Sequence, residues 1–178
     1  MMSDLMPEVA LQKQIIFEGK MISLRLDRVR LQNGQETTRE IVQHPGAVAI
    51  LATTDHDKVV LVRQYRYAIG EFTLELPAGK LEAGEDPQKA ALRELAEETG
   101  YQAHEVHHVM TFYSTPGFSD EKLHLYEAYQ LVDGAQHTDD DEFVDCLVAS
   151  KQEVSSWISQ GKIVDAKTLV GLYRWLTE

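Results

Sequence analysis

The stretch that decides how this chain folds is Gly79-Lys80-Leu81-Glu82-Ala83-Gly84-Glu85-Asp86-Pro87-Gln88-Lys89-Ala90-Ala91-Leu92-Arg93-Glu94-Leu95-Ala96-Glu97-Glu98-Thr99-Gly100-Tyr101. Its apolar residues take up a helical period from Pro87 to Thr99. Asp86 suits the cap of such a helix, Pro87 its first position, and Gly100 a left-handed stop. At about 100° per residue, Glu94, Glu97 and Glu98 share a sector roughly 100° wide. Gln88, Ala91, Leu92, Leu95 and Thr99 fall in another sector, centred roughly 120° away. One side is therefore expected to be buried and another to carry three carboxylates. Like charges three and four residues apart destabilise a helix, so something cationic should compensate. Arg93, one turn before Glu97, can hold one acid, and a hard, oxygen-ligated cation such as Mg²⁺ suits the others. A merely solvated face would intersperse lysines, yet none occurs between Ala90 and Tyr101. Before the helix, Pro77-Ala78-Gly79 ends a strand and is placed to bring backbone carbonyls near it, while Glu85 adds an acid at its entrance.

Working outward, the segment from Gln14 to Val42 reads as extended, with alternating Ile22, Leu24 and Leu26 and an Asn33-Gly34 hairpin turn. Ala47 to Ala52 and Val59 to Val62 read as strongly apolar strands joined by Asp55-His56-Asp57, and a short strand runs from Phe72 to Leu76. Beyond the helix, strands are expected at Val106 to Tyr113, Leu123 to Leu131 and Phe143 to Val148, then helices near Gln152 to Ser159 and Ala166 to Leu176. His107-His108 lies in a strand without metal-ligand spacing and reads as structural. Met1 to Glu8 reads as a frayed end. Strands on both sides of one well-marked helix predict an α/β or α+β sandwich around a mixed β-sheet.

The chain has 178 residues, enough for one domain with a real core and a small appendage. Its single cysteine, Cys146, excludes an internal disulfide and suits a reducing cytoplasm. No apolar run has the length of a membrane span, and no basic-then-apolar leader pattern stands at the start, so neither membrane nor export is expected. A formal net charge of −12 argues against nucleic acid as a partner, because a phosphate backbone demands a basic footprint. It is compatible with a small phosphorylated substrate bound through divalent cations.

The spacing of the decisive stretch resembles the Nudix box. It has a glycine, five residues, Glu, seven residues, Arg-Glu, an apolar and a free residue, Glu-Glu, a free residue, glycine and a bulky closing residue. Tyr101 stands where that closing residue is usually aliphatic. At average usage the fixed matches would arise by chance in a chain of this size about once in a million. The resemblance implies a Nudix fold, with Ala78, Glu94 and Glu98 as metal ligands, Glu97 supporting or sharing that task, and Glu85 and Arg93 holding the loop against the helix. It also implies an enzyme that uses Mg²⁺ or Mn²⁺ to cleave the diphosphate of a nucleoside diphosphate derivative. It divides the chain into an N-terminal extended region, 1–44, and a Nudix domain, 45–178.

Several stretches outside the box resemble the ADP-ribose pyrophosphatase subfamily. They are Arg39-Glu40-Ile41-Val42-Gln43-His44-Pro45-Gly46-Ala47-Val48-Ala49, Leu61-Val62-Arg63-Gln64-Tyr65-Arg66, Glu75-Leu76-Pro77-Ala78-Gly79, and Tyr113-Ser114-Thr115-Pro116-Gly117-Phe118-Ser119-Asp120-Glu121. The activity so implied is hydrolysis of ADP-ribose to AMP and ribose 5-phosphate. Arg39 and Arg66 are then candidates for phosphate or ribose, Glu40 for adenine, and Glu121 for the ribose near the metals; a surface ion pair is the competing reading of each. In the acidic run Asp139-Asp140-Asp141-Glu142, a solvated loop on composition alone, the resemblance makes Glu142 the first candidate for the base that deprotonates water and a further approach to the metal. Asp140 is the second. A homodimer built through residues 14–42, bringing Arg39 and Glu40 to the neighbouring subunit, is a further implication. The alternatives are a Nudix enzyme for another nucleotide, or a non-catalytic ADP-ribose sensor, which would be expected to lose box carboxylates that this chain keeps.

Overall fold

The computed structural model describes residues 5–54, 57–138 and 143–177. Contacts divide the chain into two compact units, one formed by the segment up to Pro45 with Tyr113–Lys122, the other by Gly46–Phe112 and Leu123 onward.

The first unit is an antiparallel sheet of β1 (Val9–Glu18), β2 (Ser23–Arg30) and β3 (Glu36–Gln43), in that order. The Asn33-Gly34 turn links β2 to β3, with Gly34 at φ 83°, a left-handed conformation that glycine adopts without a Cβ penalty. β1 begins earlier than the sequence pattern predicts, and bulges between Ala10 and Gln12 and between Ile15 and Phe17 interrupt its register with β2. Val29 is buried, and Leu24 and Leu26 are half-buried. On β1, by contrast, Val9, Ile15, Ile16 and Phe17 stay exposed in the single chain.

The second unit holds β4 (Ala47–Ala52), β5 (Lys58–Arg66), β6 (Glu71–Glu75), β7 (Ala78–Lys80), α1 (Pro87–Thr99), β8 (Tyr101–Gln102), β9 (Val106–Tyr113, its last residue in the first unit), β10 (Lys122–Ala128, its first residue in the first unit), β11 (Val132–Asp133), β12 (Val144–Ser150), α2 (Lys151–Ser159) and α3 (Ala166–Thr177). The sheets run β7-β4-β10-β9, with β10 parallel to β4 and β7 antiparallel to it, and β12-β5-β6, antiparallel throughout; β8 and β11 form a short pair. β4 is buried on both faces, which is why it is apolar at every position. Val48, Ile50 and Ala52 pack with Ala90, Ala91 and Leu95 of α1. Ala49 and Leu51 pack with Val154 of α2 and Leu172 and Trp175 of α3. The mixed sheet between helices agrees with the sequence expectation.

α3 lies close against the strands because residue 171 is glycine; a Cβ there would come within 2.5 Å of Leu76 Cδ1. Its first turn is joined to the end of β6, since Thr168 Oγ1 accepts from Leu76 N at 2.9 Å and donates to Asp165 at 2.6 Å. Three short strands, β7, β8 and β11, were not expected from the sequence. Gln88, placed on the buried side by the helical count, is exposed, with its amide donating to the Val106 carbonyl at 3.2 Å. It sits in the first turn, and its amide reaches only the edge strand β9. Among the described residues no helix is long and apolar enough to cross a membrane.

Candidate active site

The helix that carries the acids starts and stops where its sequence directs. Asp86 accepts from the Gln88 and Lys89 amides at 3.0 and 3.2 Å, and Gly100 closes the end at φ 75°. Arg93 is the hub of the charges. Its Nε and Nη2 hold both oxygens of Glu85 at 2.9 and 3.0 Å, and its Nη1 reaches Glu94 at 2.8 Å and Glu97 at 2.9 Å. The bidentate pair draws the loop before the helix onto it, and Glu85 also accepts from the Glu82 amide at 3.0 Å. The Arg93 hydrogen bond holds the Glu85 carboxyl below its ordinary range, and its acidic partners push Arg93 higher still.

Glu94 and Glu98, one turn apart, are buried at 8% and 4% exposure, an expensive place for two like charges. Glu98 accepts from the Ala78 amide at 2.9 Å. The Glu94 carboxylate lies against Gly79, where a Cβ would fall 1.9 Å from its carboxyl carbon. The box glycine is thus a cradle that any side chain would fill. Among the described residues no group of three or more His, Cys, Asp or Glu side chains could hold a metal ion. Two buried carboxylates on one helix face, beside the backbone of Ala78, are a hard-oxygen donor set that fits Mg²⁺. That ion commonly takes one or two carboxylates and completes its shell with water and substrate phosphate.

Arg66, at the end of β5, forms a two-point pair with Glu75, Nε and Nη2 at 2.7 and 2.6 Å from its oxygens. Glu75 is 1% exposed, and it also accepts from Thr73 Oγ1 at 2.5 Å and from Lys167 Nζ, which lies 3.0 Å from Asp165. Burial pushes the Glu75 carboxyl up, but the Arg66 hydrogen bonds and the Lys167 charge outweigh it and bring it from 4.5 down to about 2. Arg66 in turn is pushed up, chiefly by its bond to Glu75 and in smaller part by the charges of Asp165 and Glu98.

Arg39, Glu40 and Glu121 lie in the first unit. Arg39 pairs with Glu8, Nη2 to Oε1 at 2.5 Å, so the segment expected to fray is tied at that residue. Glu40 is exposed on β3, opposite Leu26. Glu121 accepts from Ser114 Oγ and lies 3.9 Å from His44 Nδ1. Two motifs far apart in sequence are joined here: Val42 N donates to Phe118 O at 2.8 Å, and His44 N to Asp120 at 2.8 Å.

Asp140 and Glu142 lie outside the described residues, with the rest of the acidic run. Its N-terminal approach is tied to the end of α1. His137 N donates to Glu97 O at 3.1 Å, and the Gln136 amide donates to Glu98 O at 2.7 Å and Val144 O at 3.0 Å. Sequence reasoning missed Glu75, Lys167 and Gln136. An acid inside the short apolar strand before Leu76 was the one available signal for Glu75; nothing local marks the other two.

The NUDIX domain family model matches residues 43–169. The chain is 44% identical over 173 residues to a methanol dehydrogenase activator from Bacillus methanolicus, across 96% of this chain and 94% of that one. It is 43% identical over 163 residues to an ADP-ribose pyrophosphatase from Bacillus subtilis, covering 90% and 88%. With an ADP-ribose pyrophosphatase from Mycobacterium tuberculosis it shares 36% over 165 residues, covering 91% and 80%. A crystal structure of an ADP compounds hydrolase superposes with a TM-score of 0.84 at 20% identity, over 97% of this chain and 96% of that one, a likeness of fold.

Proposed function

The chain belongs to the Nudix family of hydrolases, and from that premise we propose that it hydrolyses ADP-ribose to AMP and ribose 5-phosphate with the help of Mg²⁺. The observation that carries this reading is the pair of buried carboxylates, Glu94 cradled by Gly79 and bonded to the Arg93 hub, and Glu98 held by the Ala78 amide. The two pyrophosphatase relatives, which match nine-tenths of the chain, direct it to ADP-ribose.

In this reading Glu94, Glu98 and the Ala78 carbonyl hold the cation, with Glu97 beside them. When bound, Mg²⁺ supplies positive charge against the diphosphate oxygens and eases the deprotonation of water. Arg93 and Glu85 keep the loop and helix in one arrangement, so the donors need no rearrangement before substrate arrives. Glu142, or Asp140 in its place, takes the proton of the attacking water. Arg66 donates to a phosphate oxygen, and Glu121 keeps the ribose role that the resemblance implies. The water adds to one phosphorus as the bridging P–O bond breaks, leaving AMP and ribose 5-phosphate. Arg39 and Glu40 belong in this reading to the site of a second copy. The exposed Val9, Ile15, Ile16 and Phe17 of β1 support a homodimer, because pairing would take them out of water.

The test is a set of diphosphate substrates offered with Mg²⁺ and with Mn²⁺, read by product identity. AMP and ribose 5-phosphate formed fastest from ADP-ribose is the expected result. Faster cleavage of a nucleoside triphosphate or a nucleotide hexose would replace the substrate and leave the family standing.

A further inference from the structure

Glu75 sits almost fully out of water, and it is not a member of the acid cluster on α1. A buried ion-pair network that served packing alone could be replaced as a whole by apolar side chains at little cost. Here three elements converge on Glu75: Arg66 from β5 with two donors, Thr73 from its own strand, and Lys167 from α3. Those four hydrogen bonds fill the about four acceptor positions that a carboxylate offers. Its plane is therefore fixed, and a two-point pair transmits that plane to the guanidinium. Lys167 is itself held by Asp165, which also binds Thr168, so the anchor extends into the first turn of α3.

Arg66 is the exposed member of this group. Its side chain is 42% accessible while that of Glu75 is 1%. The pair uses Nε and Nη2, and among the described residues no hydrogen bond engages Nη1. We propose that Glu75 is a positioning residue for diphosphate hydrolysis, its buried carboxylate aiming the Arg66 guanidinium at a phosphate oxygen of the substrate. This rests on the reading of Arg66 as a phosphate contact. Lys167 and Thr73 keep Glu75 from turning, so its effect on catalysis passes through Arg66 and not through any contact of its own with substrate.

The test is a double-mutant cycle of kcat and KM on whichever diphosphate the wild type cleaves fastest, so that failure of the ADP-ribose reading leaves it intact. Arg66→Ala and Glu75→Gln should each lower kcat/KM by about ten- to a hundredfold, mostly through KM, the size expected for a lost charge-assisted hydrogen bond. The double variant should be no worse than Arg66→Ala alone. Lys167→Met should show a smaller loss that also vanishes in the Arg66→Ala background, and Lys167→Arg should restore most of it. If Glu75→Gln does not fold, the Lys167 cycle decides by the same criterion. Losses that multiply in the double variants would make the network purely structural and overturn the proposal. Arg66→Ala with wild-type kcat/KM would remove the phosphate contact, and the proposal with it, while leaving the hydrolase reading untouched.

Discussion

At the scale of single residues, the site depends on one missing Cβ and on two charges kept where charge is costly. Gly79→Ala introduces no backbone strain from a positive φ, but its methyl would occupy the space of the Glu94 carboxylate, 1.9 to 2.2 Å from its atoms. The acid must move, and turnover is expected to fall at least about a hundredfold, as for other losses of electrostatic stabilisation. The stabilisation conferred by Mg²⁺ in a thermal melt should fall with it. Wild-type turnover in this variant would show that Glu94 does not work from its buried position. Glu94→Gln and Glu98→Gln keep size and hydrogen-bonding capacity, and the new side-chain carbonyl at position 98 can still accept from the Ala78 amide, but the charge is gone. Each should lower kcat by about two to three orders of magnitude with an unchanged far-UV spectrum. Glu142→Gln should lower kcat far more than it raises KM, with Asp140→Asn the next most damaging, because a base acts on the reacting water. Full turnover in both would move the base elsewhere.

At the scale of elements, the join between β6 and the start of α3 contains a titrating group whose effect on stability has a definite sign. Glu75 has a folded value of about 2 against an ordinary 4.5. A depressed carboxyl stabilises the fold fully above its unfolded value, and that contribution is lost as pH falls through the folded one. The window is therefore from about pH 4.5 down to about pH 2, and the amount at stake is up to about 3 kcal/mol. Denaturant unfolding at pH 5 and pH 3 should show the wild type losing stability on acidification and Glu75→Gln losing measurably less. Equal losses in the two proteins would assign the acid sensitivity to other carboxyls. The helix α1 responds differently: its Asp86 cap is local, so Asp86→Ala should cost about 1 kcal/mol and little activity.

At the scale of the whole molecule, the prediction is that a second chain completes the site. β1 carries a row of exposed apolar residues, and Arg39 and Glu40 stand on the same three-stranded sheet. If Arg39 serves the neighbouring copy, inactive Arg39→Ala mixed with inactive Glu98→Gln under subunit exchange should regain activity, since one site of the heterodimer would carry both intact halves. Light scattering should give a dimer mass. A monomer, or no recovery despite demonstrated exchange, would sink the shared site without touching the hydrolase assignment.

How much of this was legible in the chain depends on the range of the forces involved. The limits of α1, its Asp86 cap and its Gly100 stop follow from residues within one turn of each other, and the sequence determined them outright. The apolar runs that became β4 and β5, and the spacing that put Glu94 and Glu98 on one face beside Arg93, were equally local. The two- and three-residue strands β7, β8 and β11 carry no pattern of their own and exist because partners lie alongside. Arg66 was legible as a candidate, but its partner Glu75 and the anchor Lys167, 92 positions further on, meet only in the folded chain. So do the motifs around Val42 and Phe118, and the burial of Glu94 against Gly79. Periodicity and capping arise between neighbours in sequence and can be read from them, whereas desolvation of a charge depends on what the fold brings to it from far away, and only the tertiary structure decided that.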